Sequence, residues 1–187
     1  SRPIPSMTPR NLLVPLLCCV ALSMPVVACA QTPPLAERAR AVLADALANE
    51  KAFVKVHAAE ALIALGEKDE PRRVFRAELP AANDVRPYRI GVWRVLAASS
   101  PTPQERAEWI GRTEAVTLDP TTMDRLHAIE SLGKLGHVTI GRVRAAAEAM
   151  AKGSDAEAVF PRWVLHLAGD RGGLYVLPMT DRPMKTS

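Results

Sequence analysis

Val56–Gly66 reads VHAAEALIALG, and Leu126–Gly136 reads LHAIESLGKLG. His, Ala, Glu, Leu, Leu and Gly recur at matching places, so one short chain writes nearly the same helix twice. No other feature restricts the fold as tightly. The apolar positions of such a stretch form a stripe that one helix cannot bury by itself, and a second copy implies that a neighbour of the same kind covers it. With the central Leu as a ruler, Leu62, Leu96, Leu132 and Leu167 fall 34, 36 and 35 residues apart.

Each of these Leu residues sits in an apolar segment: FVKVHAAEALIAL, PYRIGVWRVLAA, TMDRLHAIESLGKL and VFPRWVLHLAG. A more polar segment precedes each one, namely Leu35–Asn49, Glu70–Leu79, Pro103–Thr117 and Gly141–Lys152. Gly66, Gly136, Gly153 and the Pro-bearing stretches Pro80–Pro87, Pro101–Pro103 and Pro120 punctuate them as caps and turns. Ala, Leu, Glu and Arg favour helix, and no β-branched run reads as a strand. The predicted class is all-α, with helix pairs repeating over residues 31–168.

A turn acid followed by a base recurs where the second helix begins. Asp119 precedes Arg125, Asn49 before Lys55 and Asp84 before Arg89 are looser copies, and Asp155 precedes Arg162 at a longer spacing. With the AAEALIALG ending at Ala58–Gly66, this pattern resembles the HEAT-like repeat family. The resemblance implies an α-solenoid of about four HEAT-like helix pairs whose second helices line the partner-binding face. A turn acid can accept hydrogen bonds from the N–H groups opening the next helix, and it can also meet the Lys or Arg of its own or a neighbouring pair. Such exposed contacts set register more than stability.

A His and a Glu three residues apart share one helix face. His57 with Glu60, and His127 with Glu130, are expected on the same side of the stack. Gly91 and Arg94 take those places in the second pair, with Arg162 and His166 near them in the fourth. The predicted binding surface is therefore His57, Glu60, Arg89, Trp93, Arg94, Arg125, His127, Glu130, Arg162, Trp163 and His166. A Trp beside an Arg is a natural anchor for a protein partner.

The sharper alternative makes His57, Glu60, His127 and Glu130 metal ligands, since a His and a carboxylate three apart can hold one metal from a helix. Deoxyhypusine hydroxylase, a HEAT-like enzyme, holds a di-iron centre with adjacent His-Glu dipeptides, and this chain resembles it only at the level of the repeat. The same AAEALIALG segment also resembles the bilin-lyase HEAT-like proteins. No Ser/His/Asp arrangement, phosphate-binding glycine loop or Cys-x-x-Cys appears. The expectation is a non-enzymatic binding protein with no cofactor and no small-molecule substrate.

The N-terminus has a different character. MTPRNLLVPLLCCVALSMPVVACAQ, from Met7, carries Arg10, an apolar core and a small-residue end, the parts of a secretory signal. Pro15, Pro25 and the short apolar run argue against a membrane-spanning helix. The leader covers residues 1–30, of which residues 1–6 are expected to be extraneous to the signal that begins at Met7. Val26–Cys29 resembles the bacterial lipobox, in which the Cys is lipidated. Cys18 and Cys19 lie inside the leader, so Cys29 has no disulfide partner, and lipidation accounts for it. The alternative is cleavage before Gln31 and free secretion.

The expectation is thus an exported, lipid-anchored scaffold that binds a protein of the cell envelope. Of the 24 Lys and Arg only Arg2 and Arg10 precede Gln31, so the rest nearly balances its 20 Asp and Glu. With both signs interspersed, nucleic acid is not an expected partner. Residues 169–187, rich in Gly and Pro, are predicted to cap the stack through an apolar flap at Leu174–Leu177 and end in a loose tail.

Overall fold

A computed structural model describes residues 34–138, 141–153 and 155–170. The leader with Cys29 and the Leu174–Leu177 flap lie outside the described residues. Within them the chain is helical, with no strand: α1 Leu35–Asn49, α2 Ala52–Ala64, α3 Asp69–Ala82, α4 Tyr88–Ser99, α5 Pro103–Leu118, α6 Arg125–Lys134, α7 Gly141–Met150 and α8 Asp155–Leu167. None of these helices is long and apolar enough to cross a membrane.

The local chemistry explains where these helices stop. Gly66 and Gly136 adopt φ of +92° and +70°, the left-handed conformation that glycine takes without a Cβ clash. Glu67 N–H then reaches back to Leu62 C=O (2.9 Å), and His137 N–H to Leu132 C=O (2.8 Å), closing a Schellman motif after α2 and after α6. α8 ends the same way, with Asp170 N–H on Leu165 C=O. α5 opens with Thr102 accepting from Glu105 N–H and Pro103 at its first position. α3 runs through Pro80, which the sequence marked as a boundary. In the last turn a missing N–H removes only one intrahelical bond, so the helix continues to Ala82.

The Schellman motifs correct the register of the last pair. Leu62 and Leu132 stand four residues before their cap glycines, and the residue four before Gly169 is Leu165. Leu165 is buried at 4% exposure, whereas Leu167, the expected fourth marker, is 54% exposed. Counting from Leu165 puts Phe160 where α2 and α6 carry His57 and His127, and Trp163 where they carry Glu60 and Glu130.

The two helices of each pair pack on one another, and the even helices form a row of contacts from α2 to α4, α4 to α6 and α6 to α8. Burial follows that row. Val56, Ala59 and Leu62 of α2, Ala128, Ile129 and Leu132 of α6, and Val164 of α8 are fully or nearly fully enclosed. α4 is covered from Ile90 to Ala97. Burying an aliphatic side chain of this kind contributes about 1.5–3 kcal/mol, so the row is the main source of stability.

Candidate functional site

The centre of the even-helix face is shaped by what α4 lacks. Gly91 stands where α2 and α6 carry histidine. A Cβ built there would lie 2.9 Å from Val56 Cγ2 and 3.5 Å from Phe53 Cε1. Phe53 therefore lies close over the α4 backbone and reaches α6, where it stacks on His127 at 5.9 Å and 27°. Tyr88 meets the Phe53 edge at 6.2 Å, and His57 lies 6.4 Å away on the same helix. Side chains of α2 and α6 thus meet across α4 and recess it.

Beneath this aromatic contact runs a polar network joining three helices. Arg94 of α4 is 4% exposed. Its Nε donates to Glu60 Oε1 of α2, and its Nη1 donates to Ser131 Oγ of α6 at 2.9 Å. Glu60 Oε2 accepts from His57 Nδ1–H at 3.0 Å, and Lys134 Nζ lies 4.0 Å from the same oxygen. Lys134 also pairs with Glu130 at 2.9 Å. Burial opposes the ionisation of Glu60, but Arg94, the His57 hydrogen bond and Lys134 outweigh it and hold its pKa below the ordinary 4.5. A buried guanidinium needs such a partner, so this ionised pair fixes how α2, α4 and α6 sit together.

The surface expected from the sequence divides in two. Arg94 is enclosed, as just described. Trp93 is 6% exposed and lies under the Arg89 guanidinium at 5.4 Å. Arg89 is itself held by Asp124 through two bonds of 2.7 and 3.1 Å. Arg125 donates to Thr117 C=O at 2.6 Å, and Arg162 to Ala151 C=O at 3.1 Å. These five side chains tie helices together. His57 and His166 are exposed, and His127, Glu130 and Trp163 are half-buried. His166 follows Leu165 and so stands where Ile63 and Gly133 do, whereas Phe160 takes the histidine position, Phe53 stacks on His127 and Lys134 pairs with Glu130; sequence reasoning missed these last three residues. Phe160 was legible from Gly169, had the cap glycine been the ruler.

The turn acids meet the expectation in part. Asp119 accepts from Thr121 Oγ–H and N–H at 2.7 and 2.9 Å, and these bonds, with a smaller contribution from the charge of Arg125, lower its pKa. Asn49 donates to Asp45, while Lys55 pairs with Glu78 on α3 at 2.5 Å. A different periodic tie was overlooked. Arg72 on α3 donates to Ser99 C=O at the end of α4, and Arg106 on α5 donates to Leu135 C=O at the end of α6. Arg40 on α1 pairs with Glu67 just past α2. A cation at a helix C-terminus complements its orphan carbonyls. The signal was the spacing of Arg40, Arg72 and Arg106 on the polar helices.

His57 is engaged with Glu60, and Glu130 with Lys134. No group of three or more His, Cys, Asp or Glu is placed to hold a metal ion among the described residues. An open cleft of about 370 Å³ lies at the start of α6 and α8, lined by Pro120, Met123, Arg125, Leu126, Met150 and Glu157 among others. No protein-family profile, curated protein or solved structure matches this chain.

Proposed function

We propose that the chain is an α-solenoid of four HEAT-like helix pairs, exported and held at the cell envelope by lipid on Cys29. It serves as a binding module for an envelope protein, which docks on the face of α2, α6 and α8. Support for the architecture comes from the row of even helices and from ties between elements well separated in sequence, such as Arg94 to Glu60 and Arg89 to Asp124. Support for the leader is the sequence of residues 7–31 alone.

One observation carries the binding reading. With α4 recessed, the even helices carry Phe53, His127, Trp163 and the 37%-exposed Phe160 together with the polar side chains His57, Glu130 and Lys134. Aromatic side chains among polar ones are the composition of an interface centre. The His and Glu side chains serve as contact and alignment groups, and the reading is of a binding module with no catalytic step.

A benzophenone amino acid at position 160, compared with one at exposed position 112 on α5, tests this in native membranes. A discrete protein adduct should form from 160 and not from 112. The triple substitution His57→Ala, His127→Ala and Phe160→Ala should abolish adduct formation from a second probe at 130, while far-UV circular dichroism shows the helices retained. Equal labelling from both faces would end the reading.

A further inference from the structure

α1 is the first helix among the described residues and packs on α2 and α3, and its outer side has no neighbour among them. Placed at about 100° per residue, Leu35, Ala39, Val42 and Ala46 fall within about 60° of one another. Leu43 and Leu47 occupy the adjoining arc and turn toward the other helices, with Leu47 2% exposed. Only part of the apolar arc of α1 is therefore used by the fold. The rest is open: Leu35 is 78% and Val42 68% exposed, and they line an open cleft with Arg38, Ala39 and Leu43. The acidic Glu37 lies on the far side of the helix, and Asp45, which accepts from Asn49, sits at the edge beyond Arg38.

We infer that α1 docks on the membrane surface, with Leu35 and Val42 entering the headgroup boundary and Arg38 meeting anionic lipid phosphate. This rests on the lipid anchor proposed above, which supplies the reason for choosing a lipid surface as occupant. Five residues separate Cys29 from Leu35, and the six steps between them reach at most about 20 Å. A lipidated Cys29 would hold the open stripe within that distance of the bilayer. An apolar helix face with a flanking cation is the composition of an interfacial contact with anionic lipid, and beside such an anchor it would orient the domain on the bilayer. The docking presents α1 to the membrane and leaves the face of α2, α6 and α8 for protein.

The test uses the full chain, processed by its host and reconstituted into vesicles of phosphatidylethanolamine and phosphatidylglycerol. A benzophenone amino acid replaces Val42 in one preparation and Ala48, exposed on another side of α1, in the second. Phospholipid adducts should form at 42 and be lost at 48. Leu35→Asp should abolish the adduct at 42, while the helical circular dichroism is unchanged because Leu35 is exposed. Absence of lipid adduct at 42, or a cross-link at 42 to a second copy of the chain, overturns the proposal whatever the state of the anchor. Radiolabelled fatty acid reads the anchor separately: wild type should incorporate label and Cys29→Ala should not. Label without an adduct at 42 refutes only the docking of α1.

Discussion

Replacing Arg94 by Met gives the most direct measure of what holds the even helices in register. Met keeps most of the side-chain volume and removes the guanidinium. Glu60 then loses its closest cation, and Ser131 Oγ loses its donor. Breaking a buried ion pair from one side costs about 3–5 kcal/mol, because the remaining charge is left uncompensated. Glu60 is not fully buried: its side chain is 25% exposed and it keeps His57 and the more distant Lys134. Solvent and those partners offset part of the loss, so about 2 kcal/mol is expected. With an m-value of about 2 kcal/mol/M, the urea midpoint should fall by about 1 M.

The second arm removes the stranded charge. In the Arg94→Met background, Glu60→Gln should restore stability to within about 1 kcal/mol of wild type, since neither ion is then buried alone. Acid provides an independent check. The folded pKa of Glu60 lies below its unfolded value of 4.5, so the stabilisation is complete above that value. It is lost as pH falls through the folded pKa. Wild type and Arg94→Met should therefore converge in acid. Urea melts followed by far-UV circular dichroism would refute the reasoning if Arg94→Met lost less than about 0.5 kcal/mol. They would equally refute it if Glu60→Gln were no less harmful with Arg94 absent.

Gly91→Ala should destabilise by about 1–3 kcal/mol, because its Cβ meets Val56 at 2.9 Å. Gly111→Ala in exposed mid-α5, with nothing within 4 Å, should stabilise by about 0.5–1 kcal/mol; chemical denaturation of both variants compares them directly. Arg106→Ala removes the donor from Leu135 C=O and should cost about 1–2 kcal/mol, with faster amide exchange in the last turn of α6. Leu62→Asp and Leu132→Asp place a charge in enclosed positions and should each abolish the cooperative melt. Zinc or iron(II) should leave the melting temperature unmoved, and a saturable rise with one metal per chain would restore the metal alternative for His57, Glu60, His127 and Glu130.

The helices were legible because their two strongest signals are local. Apolar spacing gave the buried stripes of α2 and α6, and the glycine after each stripe marked the stop. The fourth stripe slipped because apolarity was the only guide near Pro161, where Leu165 and Leu167 are alike in hydrophobicity. Backbone chemistry separates them: the carbonyl of the residue four before a left-handed glycine accepts the N–H that follows that glycine, and this residue faces inward at Leu62, Leu132 and Leu165. The exit of α3 was missed for the opposite reason. Pro80 forbids one hydrogen bond, and a last turn can tolerate that loss.

The site was harder to read because it depends on how closely helices far apart in sequence approach. Spacing alone put Arg94 in line with Glu60 and Glu130 and suggested an exposed row of charge. Both departures of the second pair belong together. The pair that omits histidine has Gly91, so α2 and α6 can close across α4. The pair that omits glutamate has Arg94, opposite in charge to the carboxylate that closure brings to it. A small residue and a reversed charge, three positions apart in the middle member of a repeat, are what a recessed helix requires. Neither is needed on an exposed one. Restoring histidine at position 91 should therefore force α2 and α6 apart and expose Arg94, and Gly91→His should lose the coupling between Arg94→Met and Glu60→Gln. If that coupling persists, the missing side chain is not what recesses α4.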